Sequence, residues 1–369
     1  MKKVFIVSMV LLFLAGNFYF AYNFLLKEKD QAEIASKEEK DNKKNNLNLE
    51  KLSRLVEKNV KGLSLSEDGG KIQYYNANDK SFWLSSFDGE SIKKKLSNDD
   101  FGDVDKIIWN KGKQEALLKI KDSFYFYRFG EKEKLVKNSR SLNWINFDQK
   151  IVYTYNDQAS GKKTLNIANP DGSNWKEIAM VESDEIVISP IPRSAKSSFW
   201  SYPSAFVKSN LTIIPFVEGE LEKRGELKFG ADYLWSNEGD KFLRSSVSQE
   251  GGNNLVLEAC ELKSDKCLNL NLPTLASKCV WTNNDKSVYC AMPTNIKRDS
   301  VMPNDYLSNK IYTKDSFWKL NVESAKKEKA IDEKYLKEEL DVTNLILSPN
   351  EDFLFFINRK NGGLFRIIL

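Results

Sequence analysis

The chain of 369 residues contains no histidine. That absence excludes Ser-His-Asp and Cys-His nucleophilic catalysis, histidine metal sites and imidazole acid–base chemistry together. Charge of one sign is not in excess either. There are 56 basic and 52 acidic residues, a formal net charge of +4, so the chain carries no overall electrostatic footprint for nucleic acid, although local lysine runs exist. No Gly-x-Ser-x-Gly elbow is present, which leaves peptidase chemistry of the nucleophile-elbow kind without a nucleophile. No phosphate-binding glycine-rich loop occurs; "DGGK" at Asp68–Lys71 is too short for one and reads as a hairpin turn. No cofactor is expected. Acidic pairs such as Asp99-Asp100 are of the type glycosidases use, but they read as solvated loop acids.

Long apolar runs are absent except at the start. "VFIVSMVLLFLAGNFYFAYNFLL", Val4 to Leu26, has no charge. As a helix it would extend about 34 Å, enough to cross a bilayer. A cleaved signal peptide would have a shorter core and a clear small-residue cleavage site, and no lipobox cysteine follows. Residues 1–26 are therefore predicted to be a transmembrane signal anchor. Lysines lie on both sides of the span, so the positive-inside rule leaves its orientation open. Residues 27–48 are almost entirely polar and read as a solvated stalk.

The rest of the chain repeats itself. An apolar or Trp residue, a polar turn and an apolar strand recur in "LSEDGGKIQYY" from Leu65, "WNKGKQEALLKI" from Trp109, "WINFDQKIVYTY" from Trp144 and "ISPIPRSAKSSFW" from Ile188. The pattern continues in "WSNEGDKFLRSS" from Trp235, "WTNNDKSVYCA" from Trp281 and "LSPNEDFLFFI" from Leu347. Three downstream phrases are also alike: "DKSFWLSSFDGE" from Asp79, "KDSFYFYRFGE" from Lys121 and "KDSFWKLNVES" from Lys314. Short β-branched and aromatic strands at a spacing of 35 to 66 residues predict a β-propeller of seven blades, an all-β fold occupying residues 49–369. The Trp or aliphatic residue would end each innermost strand, and the Ser-Phe-aromatic phrase would be the third strand of its blade. The last repeat holds only three strands, so residues 52–60, "LSRLVEKNV", are predicted to close the seventh blade.

The turns of "LSEDGGKI", "WSNEGDKF" and "LSPNEDFL" resemble the signature of the TolB-like propellers, roughly Trp-Ser-Pro-Asp-Gly-Lys followed by an apolar strand. The propellers of prolyl-oligopeptidase-type enzymes use similar units. The resemblance covers residues ~60–369 and implies fold much more than function. No WD dipeptide appears, and the sialidase Asp-box is not met.

Cys260, Cys267, Cys279 and Cys290 fall within 31 residues. A four-cysteine zinc site needs closer pairs. Free buried thiols are one alternative; hairpin register favours Cys260–Cys267 and Cys279–Cys290 disulfides, which would put the propeller in an oxidising, extracytoplasmic space. The repeat is interrupted by an insertion, Pro293 to Thr313, and an extension, Lys326 to Thr343, in which a short amphipathic helix carries Tyr335, Leu336 and Leu340. Long loops in compact folds are places where function concentrates. Tyr306 and Tyr312 are accordingly predicted anchors for an envelope protein partner, with Lys297 and Arg298 steering it and Tyr335 beside them. The expectation is a single-pass, membrane-anchored, extracytoplasmic propeller. It binds the membrane through residues 4–26, scaffolds protein partners without catalysis and binds no nucleic acid. The alternative is a propeller enzyme acting on glycans through carboxylates at the channel mouth.

Overall fold

Among the described residues 27 strands form; the second and third of each blade are mostly apolar or aromatic runs, whereas outer strands such as Lys93–Lys95 and Lys327–Lys329 are charged. The computed structural model describes residues 50–97, 100–110, 112–128, 131–134, 139–145, 150–216 and 219–369. The apolar span 4–26 and the polar stretch 27–48 lie outside them. Among the described residues no helix is long and apolar enough to cross a membrane.

The strands form antiparallel sheets, five of four strands and one of seven. The seven-stranded sheet is two blades joined. Its strand Glu222–Trp235 pairs at its start with Lys208–Pro215 and at its end with Lys241–Val247, so it is both the outer strand of blade four and the inner strand of blade five. The segment "EKRGELKFGADYLW" contains no proline to stop it. Gly225 and Gly230, at φ 69° and 62°, allow the bend between the two halves. Seven blades therefore stand among the described residues. The inner strands Val342–Leu347, Val60–Leu65, Lys106–Trp109, Leu142–Trp144 and Ile186–Pro190 are successive neighbours around the ring.

Six of the seven repeat starts are the last residues of inner strands: Leu65, Trp109, Trp144, Trp235, Trp281 and Leu347. Indole size explains why Trp recurs there. Trp109 Nε1 donates to Gly62 O at 2.7 Å, Trp144 Nε1 to Ile108 O at 2.8 Å and Trp281 Nε1 to Leu234 O at 3.3 Å. Each acceptor lies on the inner strand of the preceding blade. Each Trp thus buries its ring between blades and satisfies its N–H there.

The Ser-Phe-aromatic phrase forms the third strands Ser81–Ser85, Ser123–Arg128 and Asp315–Asn321. Its Phe is an inter-blade wedge. Phe82 stacks on Tyr127 of the next blade with centroids 4.9 Å apart, and Phe317 meets Phe356 at 5.1 Å. The next aromatic faces outward under lysines of the fourth strand: Lys93 over Trp83 at 5.5 Å, and Lys327 over Trp318 at 5.6 Å.

Leu52–Val56 pairs antiparallel with Gly363–Ile368, Leu52 opposite Ile367, as the fourth strand of blade seven. Arg54 adds an ion pair to Glu338 and lies over Phe365 at 5.1 Å. The disulfides are Cys260–Cys267, across the third and fourth strands of blade five, and Cys279–Cys290, across the first and second of blade six. The extension does not form an amphipathic α-helix. Lys327–Lys329 supplies the outer strand that blade six needs. Only a single 3-10 turn, Glu333–Tyr335, follows, with Leu340 buried in the core between blades six and seven.

Candidate functional site

In each blade the loops joining second to third strands, and those joining one blade to the next, emerge on one face. The tight turns emerge on the other. The chain enters on the tight-turn face, where Ile368 N donates to Lys51 O and Leu369 N to Asp352 O.

The insertion between Ser287–Pro293 and Asp315–Asn321 folds across the loop face. It is bonded to three other blades. Asn304 Oδ1 accepts from Ala205 N at 2.7 Å on blade four, and Met302 N donates to Gly252 O at 3.0 Å on blade five. Arg359 of blade seven donates to Tyr306 O and Asn309 Oδ1, both at 2.7 Å, and to Ile311 O at 2.5 Å.

Beneath it lies a buried ion network. Lys278 Nζ donates to Asp315 Oδ2 at 2.6 Å, Asp341 Oδ1 at 2.8 Å, Thr313 Oγ1 at 2.9 Å and Val342 O at 3.0 Å. Asp341 also takes the Arg359 guanidinium, at 3.0 Å from Nε. Burial works against the Lys278 ammonium. Asp315, Tyr306 and Asp341 outweigh it and hold the lysine above its ordinary pKa. Burial raises Asp315 in spite of Lys278. Asp341, with two cations, is held low although burial opposes it. Two cations and two anions make the network neutral overall, the condition under which charges tolerate burial.

This architecture decides the fate of the predicted contact residues. Tyr306 is 5% exposed, its ring between Lys278 Nζ at 4.7 Å and Arg359 Cζ at 3.8 Å. It pins the loop to its own ring and offers no surface anchor. Tyr312, 43% exposed, packs on the same guanidinium at 4.8 Å, so Arg359 brings the two tyrosines together. Lys297 and Arg298 are exposed at the blade-five end of the loop, where their carbonyls accept from Asn253 Nδ2 at 2.9 and 3.1 Å. Tyr335 stands apart on the connection from blade six to blade seven, half-exposed under Lys334 at 5.0 Å.

The concave feature on this face is elsewhere. The insertion overlies blades four to seven and leaves a cleft of about 1020 Å³ at the channel mouth above blades two to four. Leu307 and Asn309 of the insertion form one wall. Blade two contributes Lys106 and Lys119, opposite each other on adjacent strands, together with Phe124. Blades three and four contribute Arg140, Asn156, Asp184, Glu185 and Tyr202.

Most charges in the cleft are already committed. Arg140 pairs with Glu185 at 2.5 Å and Asp184 at 3.5 Å, and Lys163 reaches Asp184 at 3.4 Å. Burial would raise Asp184, but the Asn156 amide, a backbone N–H and Lys163 outweigh it and hold the carboxyl low. Asp105 accepts from Lys121 N at 2.8 Å. Lys106 has no hydrogen-bond or ion-pair partner among the described residues. Its side chain is exposed to the water of the cleft, although protein atoms crowd around the ammonium, so the effect of desolvation on it is partial. This desolvation, with the charge of Lys119, pulls its pKa down against the pull of Asp232. Asp232, on the inner strand of blade five, accepts from Trp200 Nε1 at 3.1 Å. Burial pushes its pKa up to about 6, against the backbone N–H, Trp200 and Lys106. Tyr202, 56% exposed, offers an aromatic face to the opening; burial of its hydroxyl, then Asp232, raises its pKa.

Sequence reasoning missed Lys106, Asp232 and Tyr202. A signal existed for two of them. Lys106 and Asp232 each stand three residues before the Trp that ends an inner strand. The inner strands converge on the channel, so a charge at that register points at its mouth.

No family model matches the chain, and no curated protein matches it by sequence. Solved structures do. An oligogalacturonate lyase in complex with manganese superposes with a TM-score of 0.60 at 9% identity, covering 86% of this chain and 93% of that one. The oligogalacturonate lyase of Vibrio parahaemolyticus gives 0.62 at 10% identity, covering 86% and 93%. A streptogramin B lyase gives 0.54 at 10%, covering 85% and 96%. At such identities the likeness shows the fold, a β-propeller. It also corrects one expectation. Two of the matched structures are oligogalacturonate lyases, a finding that favours the glycan-enzyme alternative over the expected non-enzymatic protein-binding scaffold. The manganese of the first structure has no counterpart here. The chain has no histidine, and among the described residues no three His, Cys, Asp or Glu side chains converge to hold a metal. Of the four cleft acids, Asp184, Glu185 and Asp105 already face arginine, lysine or a backbone N–H, which leaves Asp122 by itself.

Proposed function

We propose that this propeller is a glycan-cleaving enzyme of the lyase type, with the cleft over blades two to four as its substrate site and a uronate-containing oligosaccharide as its substrate. The observation that carries the reading is the pairing of an exposed aromatic platform, Tyr202, with two lysines, Lys106 and Lys119, that no carboxylate neutralises, inside the large cleft of the loop face. A sugar ring stacks on an aromatic face and hydrogen-bonds through its edge. Asn156, Gln158 and Asn309 line the same space as amide partners for hydroxyls. The free ammonium groups suit a carboxylate-bearing sugar.

Elimination fits the site better than hydrolysis. Hydrolysis calls for two carboxyl groups, one an acid of raised pKa and one a free base. Here Asp184 and Glu185 are paired with Arg140. Asp232 is raised but tied to Trp200. Elimination beside a carboxylate calls for a base and a cation instead. The two disulfides support an extracytoplasmic location. The apolar span of residues 4–26 supports a membrane tether.

The purified protein is to be incubated with oligogalacturonate and other uronate-containing oligosaccharides. A lyase yields an unsaturated uronate that absorbs in the ultraviolet, one for each new reducing end. Reducing ends without that absorbance would mean hydrolysis, and neither product would end the enzymatic reading.

A further inference from the structure

Resting on the lyase reading above, we propose that Lys106 is the proton-transferring residue of a metal-independent elimination, with Lys119 as the cation that holds the substrate carboxylate. The geometry points to this pair. Lys106 opens the inner strand of blade two at the channel mouth, and Lys119 is its cross-strand partner. Both side chains line the cleft. Lys119 lies over Phe124 at 5.8 Å and has no acidic partner among the described residues. A carboxylate bound by Lys119 therefore sits next to the Lys106 amine.

The step balances without another reactant. The neutral Lys106 amine takes the proton from the carbon that bears the uronate carboxylate. That C–H bond breaks, and its electrons form a C=C bond to the adjacent carbon. The bond from that carbon to the glycosidic oxygen breaks, and the oxygen leaves with the pair. The Lys106 ammonium then gives its proton to that oxygen, so the lysine ends as it began. Lys119 bears the negative charge that grows on the carboxylate during proton removal, the part that a metal plays elsewhere.

The surroundings favour an amine that can lose its proton. The charged or titratable groups around Lys106 are Asp105, Lys119 and Asp122 of blade two, Arg140 of blade three, Asp184, Glu185 and Tyr202 of blade four, and Asp232 of blade five. Arg140, Asp184 and Glu185 satisfy one another. Desolvation and Lys119 lower the lysine, and Asp232 only partly restores it. A bound uronate carboxylate adds one anion at Lys119.

The test uses the full chain with oligogalacturonate and the panel above, following the unsaturated product. Lys106→Met is expected to lose about 10²–10⁴-fold in kcat with KM changed far less, at an unaltered melting temperature. Lys106→Arg is expected to be as poor, because a guanidinium does not give up its proton. The alkaline-rising limb of the pH–rate profile lies below the ordinary lysine range in the parent and moves to higher pH in Lys119→Gln. Chelator leaves the rate unchanged. Full turnover by Lys106→Met, or loss in chelator restored by manganese, would overturn this inference while leaving the lyase reading standing. Absence of unsaturated product from the unaltered protein would overturn both.

Discussion

At the scale of single residues the informative register is the one three positions before each repeat start. Through blades one to seven it holds Gly62, Lys106, Ser141, Glu185, Asp232, Lys278 and Asn344. Strand sterics ask nothing polar of this position, yet none of the seven is a large apolar residue. Their fates diverge because the loops above them differ. Lys278 lies under the insertion and is buried in ion pairs, whereas Lys106 lies where the insertion does not reach. No local pattern distinguishes the two, so their roles were not legible before the loops were placed. Asp232 gives a test. Its carboxyl is raised to about 6, whereas an unfolded Asp sits near 3.8. Above pH 6 the native state carries a charge that burial penalises. Below about pH 4 both states hold the proton and the penalty is gone. Asp232→Asn should therefore stabilise the fold at pH 7 by roughly 2–3 kcal/mol, with the gain vanishing near pH 4. Thermal melts of parent and variant across that range check it. An equal gain at both ends would mean that the carboxyl is not desolvated.

At the scale of elements, the repeat was legible because each blade solves the same problem with the same residues. A Trp that bonds backward and a Phe that wedges forward leave a pattern at fixed spacing. The insertion obeys no such rule. Its tyrosines look like contact residues in sequence, yet Arg359, some fifty residues downstream, draws both onto its guanidinium, Tyr306 in the interior and Tyr312 at the surface. Breaking that hub has a calculable cost. Lys278→Met leaves Asp315 and Asp341 buried with Arg359 as their only cation, and should destabilise by about 3–5 kcal/mol. The double change Lys278→Met, Asp315→Asn should recover most of it, because Asp341 keeps Arg359, the network is neutral again and the amide can still accept from Val342 N; chemical denaturation of the three proteins measures this. The disulfides behave differently. They join cysteines only 7 and 11 residues apart, so each restrains the unfolded chain by only ~2–3 kcal/mol. Reduction should lower the melting temperature by several degrees without dispersing the ring. Unchanged melting in reductant would remove their structural role.

At the scale of the whole molecule the decisive contact is the one that joins the two ends of the propeller. Each blade ends on an outer strand that covers the third, and in the last blade that outer strand comes from the beginning of the propeller. Leu52–Val56 plays this part against Gly363–Ile368, a strand whose Leu364, Phe365 and Ile367 are fully buried. Three strands in the final repeat and an apolar segment before the first inner strand were enough to read this from sequence. What could not be read was the exception between blades four and five, where one long strand replaces two, so that the described residues hold 27 strands. Removing residues 51–57 would expose the ladder of Gly363–Ile368 and strip the cover from Phe365, along with the Arg54–Glu338 pair. An unpaired, apolar edge is both a loss of stability and a template for association. The truncated protein is expected to unfold at least ~4 kcal/mol more easily than the parent and to aggregate with a dependence on concentration. A synthetic peptide covering residues 49–58 should restore much of the stability when added in excess, since it supplies the same strand without the covalent link. Denaturant midpoints with and without the peptide, at several protein concentrations, decide the matter. A truncated ring as stable as the parent would mean that closure is carried by the inner strands alone, and that the outer strand of blade seven is dispensable.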